Sequence, residues 1–228
     1  MILTATRSRS AECGMTLIAV MAVMSIFAFA LLAVAPTIQQ EVQREKEEES
    51  IRRGEEIAEA IKQYVTFYQG RKLPESIDDL LEGLPQGTKK RMILRASAAT
   101  DPLSEDGKWL LVQAKPETIA RVAARIQTFN NGLLPGSGSQ ALDQYARMAV
   151  NVLNTESEDS VYGAEENDSG YSSSDTPFIG VVSQSKSRSV LAYYGVENHS
   201  KWVFTPLFRG GGSLTTRPFV RPDRVRPN

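Results

Sequence analysis

The residues able to do chemistry are few. His199 is the only histidine, which excludes a multi-histidine metal site and, on that count, a histidine-based triad. In the setting ENHSKW it reads as a surface turn position. Carboxylates are plentiful, as in Asp78 with Asp79 and Glu47 to Glu49, but they fall on expected exposed helix faces, where solvated charge explains them. The acidic run EENDSG, 165–170, has the oxygens to ligate a hard cation such as calcium but matches no recognised loop spacing. RGGGS from Arg209 lacks the lysine and the strand-to-helix context of a phosphate loop and reads as linker. The single cysteine, Cys13, leaves any extracytoplasmic domain without an intramolecular disulfide. It is also no lipid-anchor site, because the apolar run comes after it. No catalytic constellation emerges, so neither an enzyme nor a bound cofactor is expected.

The dominant feature is positional. Met15 to Ala35 is a stretch of 21 uncharged residues interrupted only by Thr16 and Ser25. As a helix it is about 30 Å long, the thickness of a bilayer's hydrocarbon core. A cleavable secretory signal has a shorter apolar region and a small-residue cut site after it, so this run is expected to be kept. Arg7 and Arg9 precede it and glutamates come after it, which places the N-terminus in the cytoplasm and the body outside.

Helix is expected to continue past Pro36, with Glu48–Arg52 and Glu49–Arg53 at favourable i, i+4 spacing. Ile57, Ile61, Tyr64, Val65 and Tyr68 then recur at helical spacing, so one face must be covered. With Gly70 as the stop, Met15 to Gln69 reads as one helix of 55 residues. Pro36 should kink it. Beyond it come a short helix from Ser76 in LPESIDDLLEGL, a loop TDPLSEDG, and a strand KWLLVQ. Two amphipathic helical patterns, KPETIARVAARIQTF and SQALDQYARMAVNVL, flank the breaker NNGLLPGSGS. PFIGVVSQ, SVLAYYG and KWVFTPLF have the spacing of an antiparallel meander. The acidic 156–168 and basic 209–228 runs carry no aromatic interleaving of a nucleic-acid surface and read as solvated, disordered segments.

A short basic leader, a glycine, and then at once an apolar helix running into an amphipathic one resembles the type IV pilin and pseudopilin class. GMTLIAVMAVM is similar to its prepilin cleavage segment. The resemblance implies that prepilin peptidase cuts after Gly14, that Met15 becomes the methylated N-terminus, and that Pro36 is the family's kinking proline. The usual glutamate four residues after the new N-terminus is Ala19 here, which implies a minor or atypical member. EEESIRRGEEIAEAIKQYVTFYQGRKLPESIDDLLE, then TDPLSEDGKWLLV, resembles pseudopilin-like proteins of bacterial type II secretion systems. Asp101, Pro102, Gly107 and Trp109 carry the loop match; Gly180, Ser183, Ser185, Tyr194, Gly195, Trp202 and Phe204 carry the end.

The expected fold is therefore α+β and pilin-like. Residues 1–14 form the leader, 15–35 the transmembrane helix, and 36–70 its amphipathic continuation. Residues 71–208 form a periplasmic head on a small antiparallel sheet, with a helical insertion at about 115–176, and 209–228 a disordered basic tail. The implied role is a subunit of a periplasmic pseudopilus for protein secretion, held in the inner membrane before assembly. Its implied partners are other pseudopilins through helix packing, prepilin peptidase, and the inner-membrane assembly platform with its ATPase. A minor type IV pilin serving adhesion, motility or DNA uptake, and a signal-anchored periplasmic domain, remain the alternatives.

Overall fold

The computed structural model describes residues 10–155, 170–211 and 213–214. The protein is α+β with antiparallel sheets and a long N-terminal helix. The chain divides into two compact units, Met1–Glu45 and Lys46–Asn228.

Helix α1 spans Ser10–Phe67. It is assigned without a break through Pro36, whose side chain lies outside the described residues together with the others of 31–38. In the N-terminal unit every described side chain from Met15 to Ala30 is exposed. No helix among the described residues is long and apolar enough to cross a membrane; of the expected span 15–35, the side chains of 15–30 are described.

The second unit is built on the remainder of α1. Ile57, Ile61, Tyr64 and Val65 are buried as their spacing requires, and Tyr68 packs at the edge of the same core. The helix ends where Gly70, at φ 78°, returns its amide to the Val65 carbonyl at 2.8 Å. Ser76 then caps α2 (Ile77–Glu82). The Asp79 amide donates to Ser76 Oγ and the Asp79 carboxylate accepts from the Ser76 amide, a capping box that makes Asp79 a cap as well as a surface charge. Next comes a hairpin of β1 (Leu84–Gln86) and β2 (Lys89–Arg91).

The main sheet has four antiparallel strands in the order β5-β3-β6-β9, with β3 Trp109–Gln113, β5 Tyr171–Ser172, β6 Phe178–Ser183 and β9 Val203–Phe204. β6 is buried along its whole length. The expected three-strand meander needs correcting. SVLAYYG forms β7 (Arg188–Tyr193), which leaves the sheet and pairs with β8 (Val196–Asn198), so β9 takes the place beside β6. Tyr194 and Gly195, both at positive φ, make the tight turn of that hairpin.

Between β3 and β6 lie α3 (Pro116–Phe129), β4 (Leu134–Pro135) and α4 (Gln140–Thr155). Both helices stand where the amphipathic patterns put them. They are no appendage, since Ile119, Ala120, Ala123, Leu142 and Ala146 belong to the same core as Ile61, Val112, Phe178, Val181 and Phe204. Part of the segment expected as a disordered tail is described, 209–211 and 213–214. Gly210 donates to the Gly136 carbonyl, where the absence of a side chain on Gly210 and Gly138 lets two backbones approach closely, and β10 (Ser213–Leu214) pairs with β4. The rest of the tail, and the acidic 165–169 considered for calcium, lie outside the described residues.

Candidate functional site

Two places concentrate features that a self-contained domain would not need. The first is the apolar half of α1. Met15 is 77% exposed and Phe29 73%, and Leu17, Ile18, Met21, Met24, Ile26 and Phe27 are open in the same way, all round the helix. A helix apolar on every side is one that ordinarily lies buried, in a protein core or a membrane, and exposed apolar surface of this extent marks an interaction site. Gly14 lies in α1, with its surroundings outside the described residues, and Met15 comes directly after it.

The second is a polar seam along the buried face of α1. Here the structure corrects two expectations. Glu47, read as a solvated helix carboxylate, is 0% exposed, and His199, read as a surface turn residue, is 2% exposed. Glu47 accepts from the backbone amides of Val190 at 3.0 Å and Leu191 at 2.7 Å, and its Oε1 lies 3.0 Å from His199 Nε2. The other ring nitrogen, Nδ1, is 3.1 Å from Ser185 Oγ. One histidine is all a triad requires, so the residue count does not exclude that geometry: the serine comes from the loop after β6, the imidazole from a short helical turn after β8, and the carboxylate from α1.

One turn along α1, Ser50 Oγ is within 3.4 Å of Asp101 Oδ1. Asp101 is buried and also accepts from Ser183 Oγ at 2.6 Å and from the Leu103 amide at 3.0 Å. Its own amide donates to the Gly107 carbonyl, closing the loop that Pro102 enters and Gly107, at φ 65°, leaves. Trp109 donates to the Ala98 carbonyl and meets Phe204 edge-on. Trp202, fully buried, donates to the Val196 carbonyl. The structure therefore brings Asp101, Gly107, Trp109, Ser183, Ser185 and Trp202 together as the frame that holds the loops to the sheet and to α1.

Further along, a Cβ on Gly54 would sit 2.3 Å from the Phe204 ring, so only glycine permits this approach. Next to it Glu55 accepts from Tyr193 Oη and pairs with Arg209. Burial pushes the Tyr193 phenol far up, which keeps it a donor. On the outer side, Arg52 and Arg53 both hydrogen-bond Glu49 at 2.7 Å, and Arg52 also meets Glu56 at 3.7 Å. These bonds hold the Glu49 carboxyl down to about 2.

Glu47, Glu55 and His199 were missed in the sequence because their partners lie more than a hundred residues away. The one local sign is that Glu47, Ser50, Gly54, Ile57 and Ile61 share a face. Among the described residues no group of three or more acids, histidines or cysteines could hold a metal ion. No protein family model, curated protein or solved structure matches the chain.

Proposed function

We propose that the chain is a pilin-like pseudopilin of a type II secretion system. The observation that carries this reading is the uniformly exposed apolar helix Met15–Ala30, continuous with the segment of α1 on which an α+β head is built. Such a helix is a membrane anchor first. On leaving lipid it stays out of water only by packing among its own kind, which makes it a filament core. The basic leader ending at Gly14 gives prepilin peptidase its site on the cytoplasmic side. The head then faces the periplasm, and the force for assembly comes from the partner ATPase.

N-terminal sequencing of the mature protein tests this. The expected result is a chain beginning at methylated Met15 in cells with prepilin peptidase and at Met1 without it. An intact Met1 in wild-type cells overturns the reading in favour of a simple anchored domain.

A further inference from the structure

The Ser185–His199–Glu47 chain has an orientation as well as a connectivity. N–H donors meet both oxygens of Glu47, so the carboxylate is an acceptor toward the ring too. In the neutral imidazole the proton then sits on Nε2, and Nδ1 is left to accept the Ser185 hydroxyl proton. This is the polarity of a serine nucleophile with its base and the base's orienting acid, with the two ring nitrogens exchanged relative to the common arrangement.

The chain ends in an opening. Ser185 lines a polar cleft of about 360 Å³ between the Leu103–Asp106 loop and Gln184–Ser187. His199 and Glu47 lie behind it, out of solvent. The amide of Lys186, the residue after the serine, makes no hydrogen bond among the described residues. An amide in that position can serve a developing oxyanion. Glu105 and Asp106 on the facing loop outweigh Lys186 on the near side, and this net acidic lining disfavours an anionic ligand.

We propose that Ser185 is an activated nucleophile and that the head hydrolyses small neutral or positively charged carboxylic esters. Ser185 Oγ adds to the ester carbonyl carbon while its proton passes to His199 Nδ1. As the ester C–O bond breaks, that proton goes to the departing alkoxide, leaving acyl-Ser185 and an alcohol. Water then adds to the acyl carbon, gives a proton to Nδ1, and the proton returns to Ser185 Oγ as the acid leaves. The sum is ester plus water to acid plus alcohol. Ser185 and His199 are the catalytic residues and Glu47 is a positioning residue. None of this depends on where the chain is cut or whether it assembles.

The test uses the full-length chain in detergent and an alkyl fluorophosphonate, which forms a P–O bond to an activated serine with loss of fluoride. Mass spectrometry should find one adduct, on Ser185, formed at least about 100-fold faster than in the same chain unfolded in urea, the scale of general-base assistance. p-Nitrophenyl acetate hydrolysis should fall by a similar factor in Ser185→Ala and be unchanged in Ser173→Ala, an exposed serine away from the cleft. Glu47→Asp should retain more activity than Glu47→Gln, with the shape of the pH profile kept. No adduct on Ser185 in the folded chain, or labelling no faster than in urea, overturns the proposal. So does hydrolysis that survives Ser185→Ala. The comparison of folded and unfolded wild-type protein needs no variant to fold.

Discussion

Gly54 is the residue at which sequence and packing disagree most openly. In the middle of a helix, glycine costs about 1 kcal/mol relative to alanine. Here it faces a Phe204 ring that is fully buried and wedged against Trp109 and Tyr193. Overpacking of this kind costs about 1–3 kcal/mol or more. At 2.3 Å the steric cost exceeds the gain in propensity, so Gly54→Ala should lower stability by about 2 kcal/mol, read from a denaturant midpoint at unchanged slope. Glu49 makes a contrasting prediction. Its folded carboxyl, held at about 2 by Arg52 and Arg53, lies below the ordinary value of 4.5. Its contribution is present above the unfolded value and fades as pH falls through about 2. A third of the side chain is open to water, so screening keeps the effect to a few tenths of a kcal/mol. Glu49→Gln should show that small loss at pH 7 and none at about pH 1.5. His199 could not have been read in this way from the sequence. A polar residue between Asn198 and Ser200 carries no mark of burial until Glu47, 152 positions away, is laid beside it.

Among the elements, those with local signals were legible. Ser76 announces the start of α2, Gly70 the stop of α1, and KWLLVQ its strand, whereas the reach of Asp79 back to the Ser76 amide shows only in the fold. Strand partners were not legible, because pairing is a long-range choice: β7 has the pattern of a sheet strand but Tyr194 and Gly195 turn it back on β8. The segment 115–176 is inserted in topology and integral in packing. β3 and β6 are antiparallel neighbours with Gln113 opposite Phe178, so the chain leaves and re-enters at adjoining points, as an insertion would. Yet five large aliphatic side chains within it, Ile119, Val122, Ile126, Leu134 and Leu142, are buried. At about 2 kcal/mol or more each, losing their contacts equals the whole stability of an ordinary domain. A chain with Lys115 to Thr176 replaced by a short turn should show no cooperative thermal transition and be digested by proteases throughout the head. A folded, resistant product would make the segment an ornament.

For the whole molecule, the division between Glu45 and Lys46 separates two kinds of surface. Among the described residues, nothing before Glu47 is buried. A chain starting at Lys46 should therefore be soluble without detergent and melt within about 2 °C of the full-length head, whereas the full-length chain should sediment with membranes or need detergent. Ala19 belongs to this scale too. On the proposed pseudopilin reading, if it weakens pairing between subunits, Ala19→Glu should raise incorporation into filaments, measured by cross-linking; unchanged incorporation would leave Ala19 without that role.

The seam along α1 has a mechanical consequence. Glu47, Ser50, Gly54, Glu55, Ile57 and Ile61 grip the head in succession along one side of a single helix. A pull on that helix along its axis loads these attachments together, in shear, and none can give way by peeling while the rest are spared. Tension entering at the N-terminal end reaches the Glu47 clamp first, so the tightest cluster of hydrogen bonds lies where a tow-line would be made fast.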